Sequence, residues 1–188
     1  CNGTLIDFGS GSNIYFWLIA FRHIEKVLCV DISKEAFFIN EQIRNKKLYP
    51  KSCEYALKKY NKEFDEVLKT EVNYLIYDVL HSSINSTIKY NNVSQFGLLG
   101  LCKSEKEYIS NLEKLYNLLK KGGTLLGANW CFSTSYSKKM GFNNNYLSEK
   151  MIQDFGEKQN RKILYVKKVP IINDPNYDSV LIYAIKHE

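Results

Sequence analysis

Three short stretches hold residue types that could do chemistry together. Gly9-Ser10-Gly11 follows an apolar run at residues 4–8, and its two glycines let a ligand lie against backbone where any side chain would block it. Asp31 stands 20 residues after Gly11 and closes a second apolar run, where a carboxylate can accept hydrogen bonds from both hydroxyls of a ribose. Asp78-Val79 closes a third run. There the carboxylate can accept from an adenine amino group while the next backbone N–H donates to a ring nitrogen. Each piece alone is common, because Asp at a strand end is usually a cap or turn residue. Jointly they are fittings for an adenosine ligand, provided the architecture brings three strand ends to one edge.

The order of elements meets that condition. Residues 4–8 read as a buried strand, followed after the glycine turn by a helix over 13–22 whose Ile14, Trp17, Leu18 and Phe21 share one face. Its first N–H groups would be free for a ligand. A strand at 26–30, a helix capped by Ser33 and ended by Pro50, an amphipathic helix across 53–70 and a strand at 73–79 continue the alternation. After a polar connector at 81–94, a fourth strand is expected at 96–101 with Gly97 and Gly100 in it. Ser104-Glu105-Lys106-Glu107 is a capping box opening a helix with Ile109, Leu112, Leu115, Leu118 and Leu119 on its stripe, and Gly122-Gly123 is expected to stop it. A fifth strand at 124–130, a polar loop at 133–145, a short helix capped by Ser148 and two final strands at 162–169 and 179–186 complete the chain. The expected fold is a single three-layer α/β/α, Rossmann-like domain over residues 1–188, with a mostly parallel seven-stranded sheet and an antiparallel last strand. In such sheets ligands bind beyond the carboxyl ends of the strands.

Composition narrows the classes. With 188 residues, 45% hydrophobic and 24% charged, the chain can bury a sizeable core and needs no metal or disulfide framework. No apolar run approaches the roughly 20 residues of a membrane helix. The net charge of +6 comes from lysines spread along the chain and mixed with Glu, with Arg22, Arg44 and Arg161 the only arginines, which reads as a solvated surface and not as a nucleic-acid face. Five cysteines with no C-x-x-C pair read as reduced core thiols in a cytoplasmic compartment. His23, His81 and His187 are scattered, and no Cys/His spacing fits a metal site. The chain is expected to act as a monomer without membrane or nucleic-acid partners.

Two adenosine cofactors remain, a dinucleotide and S-adenosylmethionine. The dinucleotide fingerprint wants a third glycine where Ile14 stands, so that reading loses ground. Leu5-Ile6-Asp7-Phe8-Gly9-Ser10-Gly11-Ser12-Asn13-Ile14-Tyr15, with Val30-Asp31-Ile32-Ser33, Tyr77-Asp78-Val79 and Leu118-Leu119-Lys120-Lys121-Gly122-Gly123, resembles the nicotinamide, phenylethanolamine and thioether (indolethylamine) N-methyltransferase family of class I enzymes across nearly the whole chain.

The resemblance implies S-adenosylmethionine as cofactor and a small-molecule methyl acceptor, an amine or pyridine-type nitrogen, methylated by in-line displacement. It places Asp7, Gly9, Ser10 and Gly11 at the methionine end of the cofactor, with Tyr15 on its carboxylate. Asp31 and Ile32 take the ribose side, Asp78 and Val79 the adenine, and Gly100 lines the same pocket. Asn129 and Ser133 fall in the family's substrate-contacting region, Asn129 where the family carries an acid. The segment after Cys102 is shorter than in the family, and the family's N-terminal lid helices are expected to precede Cys1. A catalytically inactive binding domain, a sulfur acceptor and a nucleic-acid substrate are the alternatives.

Overall fold

The computed structural model describes residues 3–21, 24–84, 86–157 and 161–188. Cys1 and His23 lie outside them. Two compact units make up the chain, Cys1–Ser82 and Ser83–Glu188.

In the first unit the elements run β1 (Gly3–Phe8), α1 (Ile14–Ala20), β2 (Ile24–Asp31), α2 (Lys34–Lys46), α3 (Lys51–Tyr60), α4 (Phe64–Val67) and β3 (Glu71–Ile76). Strand β2 lies parallel to β1 on one side and to β3 on the other, with Phe8 opposite Val30 and Asp31 opposite Ile76. This register ends the three strands level, so the glycine turn, Asp31 and the segment after β3 leave from one edge. Ser33 caps α2 by accepting the Ala36 N–H at 3.1 Å, and Glu35 in the first turn with Arg44 and Lys46 in the last suit the helix dipole. Lys47, with φ of 52°, ends α2 before Pro50, which instead stands at the start of α3. The single helix expected over 53–70 is broken by Asn61 in the left-handed region, φ 50°, into α3 and α4. Leu5, Ile14, Leu18, Val27, Phe37 and Phe64 belong to this unit's core, each contributing about 1.5–3 kcal/mol if fully buried.

In the second unit the order is β4 (Tyr90–Phe96), a 3₁₀ turn (Leu98–Leu101), α5 (Glu105–Tyr116), β5 (Leu119–Phe132), α6 (Thr134–Met140), α7 (Glu149–Gly156), β6 (Arg161–Pro170) and β7 (Tyr177–His187). Strand β4 is parallel to β5, while β7 runs antiparallel to both β5 and β6. The last strand is therefore the reversed one, as expected, and it lies between β5 and β6. The capping box forms: Glu107 N–H reaches Ser104 Oγ at 3.2 Å, and the Glu107 carboxylate accepts the Lys103 N–H at 2.8 Å.

Other boundaries differ from expectation too. Strand β3 ends at Ile76 and not at 79, so Asp78 and Val79 lie in the turn after it. Strand β4 lies earlier than 96–101, because Gly97 at φ 102° turns the chain out of the sheet into the 3₁₀ turn that holds Gly100. Helix α5 stops at Tyr116, and Gly122-Gly123 sits inside β5. A Cβ on Gly123 would lie 2.8 Å from the Asn91 carbonyl, so that glycine serves a close strand approach and not a helix cap. Part of the polar loop at 133–145 is helix α6, capped by Ser133.

The class is α/β, as expected. Cys29, Cys53, Cys102 and Cys131 are free and buried; burial pushes the Cys102 thiol up to about 11. Among the described residues no helix is long and apolar enough to cross a membrane.

Candidate functional site

The first unit gathers nine of the sequence-designated residues at the carboxyl edge of β1, β2 and β3. Gly9 and Gly11 take φ of 68° and 60°, a region L side chains avoid, so the turn requires glycine at both positions. Gly9 N–H donates to Val30 O at 2.8 Å, which folds the turn back on the end of β2. Asp31 then grips it. Its Oδ2 accepts the Gly11 N–H at 2.9 Å and its Oδ1 accepts the Ser33 N–H at 3.0 Å, so one carboxylate joins the turn to the start of α2. Nothing lies within 4 Å of a Cβ built on Gly11, so the turn faces open space.

Asn40 does what no sequence motif assigned. Fully buried in α2, it donates from Nδ2 to Gly11 O at 2.8 Å and accepts the Ile14 N–H on Oδ1 at 3.2 Å. The expectation that the first N–H groups of α1 stand free for a ligand is thereby corrected: Asn40 takes that of Ile14, and Asn13 O accepts that of Phe16 at 3.3 Å. Helix α1 has only seven residues. A signal for Asn40 did exist, since it falls on the buried stripe of α2 between Phe37 and Ile43, where a polar side chain must find partners.

Ser10 is buried, and its Oγ has no hydrogen-bond partner. Such a hydroxyl costs free energy unless something else meets it. Asp7 is buried at the end of β1 beside Cys29, whose thiol is pushed up by burial and then by that carboxylate. Tyr15 is buried in the core, its ring edge-on to Phe64 at 5.6 Å, with its hydroxyl beside Tyr74 and Arg44. Burial raises the Tyr15 pKa, with the Arg44 charge opposing. Ile32 is 69% exposed and Val79 is buried. Asp78 stands just past β3 with both carboxylate oxygens near the His81 ring, at 3.0 and 3.2 Å from Nδ1. That ring holds the Asp78 carboxyl below the usual carboxylate range.

The second unit holds Gly100, Asn129 and Ser133. Asn129 is fully buried in β5. It exchanges amide hydrogen bonds with Gln95 at 2.8 and 3.0 Å and accepts the Tyr108 hydroxyl at 2.7 Å; Gln95 donates to Tyr183 Oη at 2.8 Å, and the Tyr183 hydroxyl donates in turn to Tyr108 Oη at 3.0 Å. A closed polar network of this kind specifies one packing. Gly100 packs against Asn129, and its carbonyl accepts from Asn144 Nδ2 at 3.0 Å. Ser133 caps α6 through Tyr136 N–H at 3.2 Å and donates to Pro175 O at 2.8 Å in the turn before β7. Asn144, also buried, ties Gly100, Trp130 and Phe132 backbone together; nothing in the run Asn143-Asn144-Asn145 marked it in the sequence.

No family model matches the chain, and no curated protein matches it. Solved structures do. The N-methyltransferase NodS from Bradyrhizobium japonicum WM9, in complex with S-adenosyl-L-homocysteine, aligns with TM-score 0.63 at 10% identity, covering 99% of this chain and 78% of that one. An S-adenosylmethionine-dependent methyltransferase from Clostridium acetobutylicum ATCC 824 aligns with TM-score 0.60 at 13% identity, over 100% of this chain and 85% of that one. A methyltransferase from Haloferax volcanii, described as putative and solved in complex with the activator Trm112, aligns with TM-score 0.63 at 11% identity, over 98% and 82%. The likeness is one of fold: the chain has the Rossmann-like α/β fold of the class I methyltransferases.

Proposed function

We propose that residues 1–188 are an S-adenosylmethionine-dependent methyltransferase domain that passes a methyl group to a small-molecule acceptor, an amine or pyridine-type nitrogen. The observation that carries this reading is the placement of the glycine turn and Asp31 at the level ends of adjacent parallel strands, with Asp78 in the turn two residues past the end of the third. The open space over Gly11 suits a ligand laid along the turn. In this reading Asp7, Gly9, Ser10 and Gly11 hold the methionine part, with Tyr15 assigned to its carboxylate. Asp31 with Ile32 takes the ribose and Asp78 with Val79 the adenine, and Gly100 is assigned to the cofactor as the resemblance implies. The names of the fold neighbours, NodS among them, agree with the cofactor and the reaction.

The cofactor, when bound, supplies an activated methyl on a sulfonium. The protein's share is to align donor and acceptor and to exclude water, so no nucleophile of its own is required. Ser133, and Asn129 through its support of Gly100, are assigned to the acceptor side. The acceptor is free in solution, with neither membrane nor nucleic acid involved, and the protein works as a monomer. Four buried free thiols suit a cytoplasmic setting.

One observation favours a second reading. Where the resembled family has an acid for its amine, Asn129 is fully buried and its amide is engaged by Gln95 and Tyr108. A binding domain without transfer, or a sulfur acceptor that needs no anionic partner, fits that arrangement. Calorimetric titration with S-adenosylhomocysteine, followed by transfer of labelled methyl to a panel of amines, pyridines and thioethers, separates the readings. Micromolar binding with methylation of a nitrogen acceptor supports the first; binding with no transfer to any acceptor supports the second. Absence of binding by folded protein that persists with the expected upstream helices restored overturns both cofactor assignments.

A further inference from the structure

His81, two residues after Val79 in the sequence, is closely engaged with Asp78. Strand β3 ends at Ile76, and Tyr77 N–H donates to Asp31 O at 3.0 Å, which fixes where the following turn begins. Asp78 and His81 then close that turn on each other. The ring Nδ1 lies 3.0 Å from Oδ2 and 3.2 Å from Oδ1, and the His81 backbone N–H donates to Oδ1 at 3.2 Å. Toward an ionised carboxylate, an acceptor only, Nδ1 must carry the proton. The two side chains remain 75% and 47% exposed, so a ligand can still reach the carboxylate.

We propose that His81 is a positioning residue for Asp78 and, through it, selects a 6-amino purine over a 6-oxo purine at this site; the inference rests on the assignment of Asp78 to the adenine. A carboxylate held by two N–H donors of one residue keeps a fixed orientation and stays acceptor-only. Its remaining lone pairs attract the N–H of a 6-amino group and repel a 6-oxo oxygen. Without the ring, the carboxylate turns freely into solvent, and attraction and repulsion both fade. Discrimination of this type depends on a polar group that the wrong ligand leaves unpaired.

The test is titration of the full chain with S-adenosylhomocysteine and with its 6-oxo counterpart, S-inosylhomocysteine, in wild type, His81→Ala and His81→Asn. Asparagine places an N–H donor near the Nδ1 position. Wild type is expected to prefer the amino ligand at least tenfold, His81→Ala to cut that preference by threefold or more, and His81→Asn to restore most of it. A role confined to stabilising the turn would weaken both ligands alike and leave the ratio unmoved. An unchanged ratio in His81→Ala, with S-adenosylhomocysteine still bound, overturns the role of His81 and leaves the cofactor reading standing. If folded wild type binds neither ligand even with the expected upstream helices restored, the cofactor reading itself falls, and this inference with it.

Discussion

Asn40 Nδ2 donates to the Gly11 carbonyl at 2.8 Å, so a side chain from α2 holds the backbone of a turn 29 residues earlier in the chain. The same amide accepts the Ile14 N–H. Replacing Asn40 with the similarly sized Leu orphans both backbone groups, at a cost of about 1–3 kcal/mol. Urea unfolding is expected to show that loss. S-adenosylhomocysteine affinity is expected to fall as well, beyond what the unfolded fraction explains; a stability loss with unchanged affinity would separate Asn40 from the site.

Asp31 has two duties in the proposed function, holding the turn and accepting from a ribose. Asp31→Ala removes hydrogen bonds to a charged group worth about 1.5–3 kcal/mol each. Cofactor affinity is expected to drop tenfold or more by calorimetry. An affinity within twofold of wild type would remove Asp31 from the site.

The buried phenols of Tyr108 and Tyr183 give an alkaline signature. Burial, first among the causes, raises both pKa values in the folded protein. The folded state therefore keeps protons that the unfolded chain releases above about pH 10. Their stabilising contribution is full below that pH and declines as pH rises beyond it. Urea midpoints should already decline above about pH 8.5, where the unfolded chain releases the protons of its cysteines, and should fall more steeply above pH 10 in wild type than in Tyr183→Phe, which starts lower but has one such phenol fewer. Equal slopes would mean that Tyr183 is not held neutral.

Gly127 in β5 pairs directly with Tyr183 in β7, and a Cβ there would run into the tyrosine ring. Gly127→Ala is expected to cost about 1–3 kcal/mol through overpacking. Thermal unfolding checks this, and an unchanged Tm would show that the ring can move aside.

Much of this molecule was legible in its residues, and the reasons it was so are local. Ser33, Ser104 and Ser148 each accept the expected N–H at a helix start, because a short hydroxyl before an amphipathic run has few better uses. The placement of Gly9, Gly11 and Asp31 at strand ends followed from alternation and turn chemistry alone, whereas Asp78, expected to close the third strand, lies two residues past it. The misread stretch at 112–123 fails for a physical reason. Leu112, Leu115, Leu118 and Leu119 fit a helical stripe, yet all four are also buried when the last two leave the helix. Apolar spacing cannot tell a final helical turn from the approach to a strand. Gly97 carried the opposite ambiguity: read as a strand glycine, it makes the exit from the sheet. Least legible were the polar side chains whose partners are distant in sequence, such as Gln95 with Asn129 and Tyr183. Their roles arise only when strands far apart in the chain are paired.

Asp31 and Asn40 between them anchor the amide and the carbonyl of Gly11. The turn is thus set by its own chain before anything arrives. A guest that settles on it need not spend binding energy on freezing a floppy segment, since that entropy was surrendered when the domain folded. The same economy has a reverse side. The shape of the turn is pinned from β2 and α2, so changes in those elements, remote from any ligand atom, will be felt as changes in affinity.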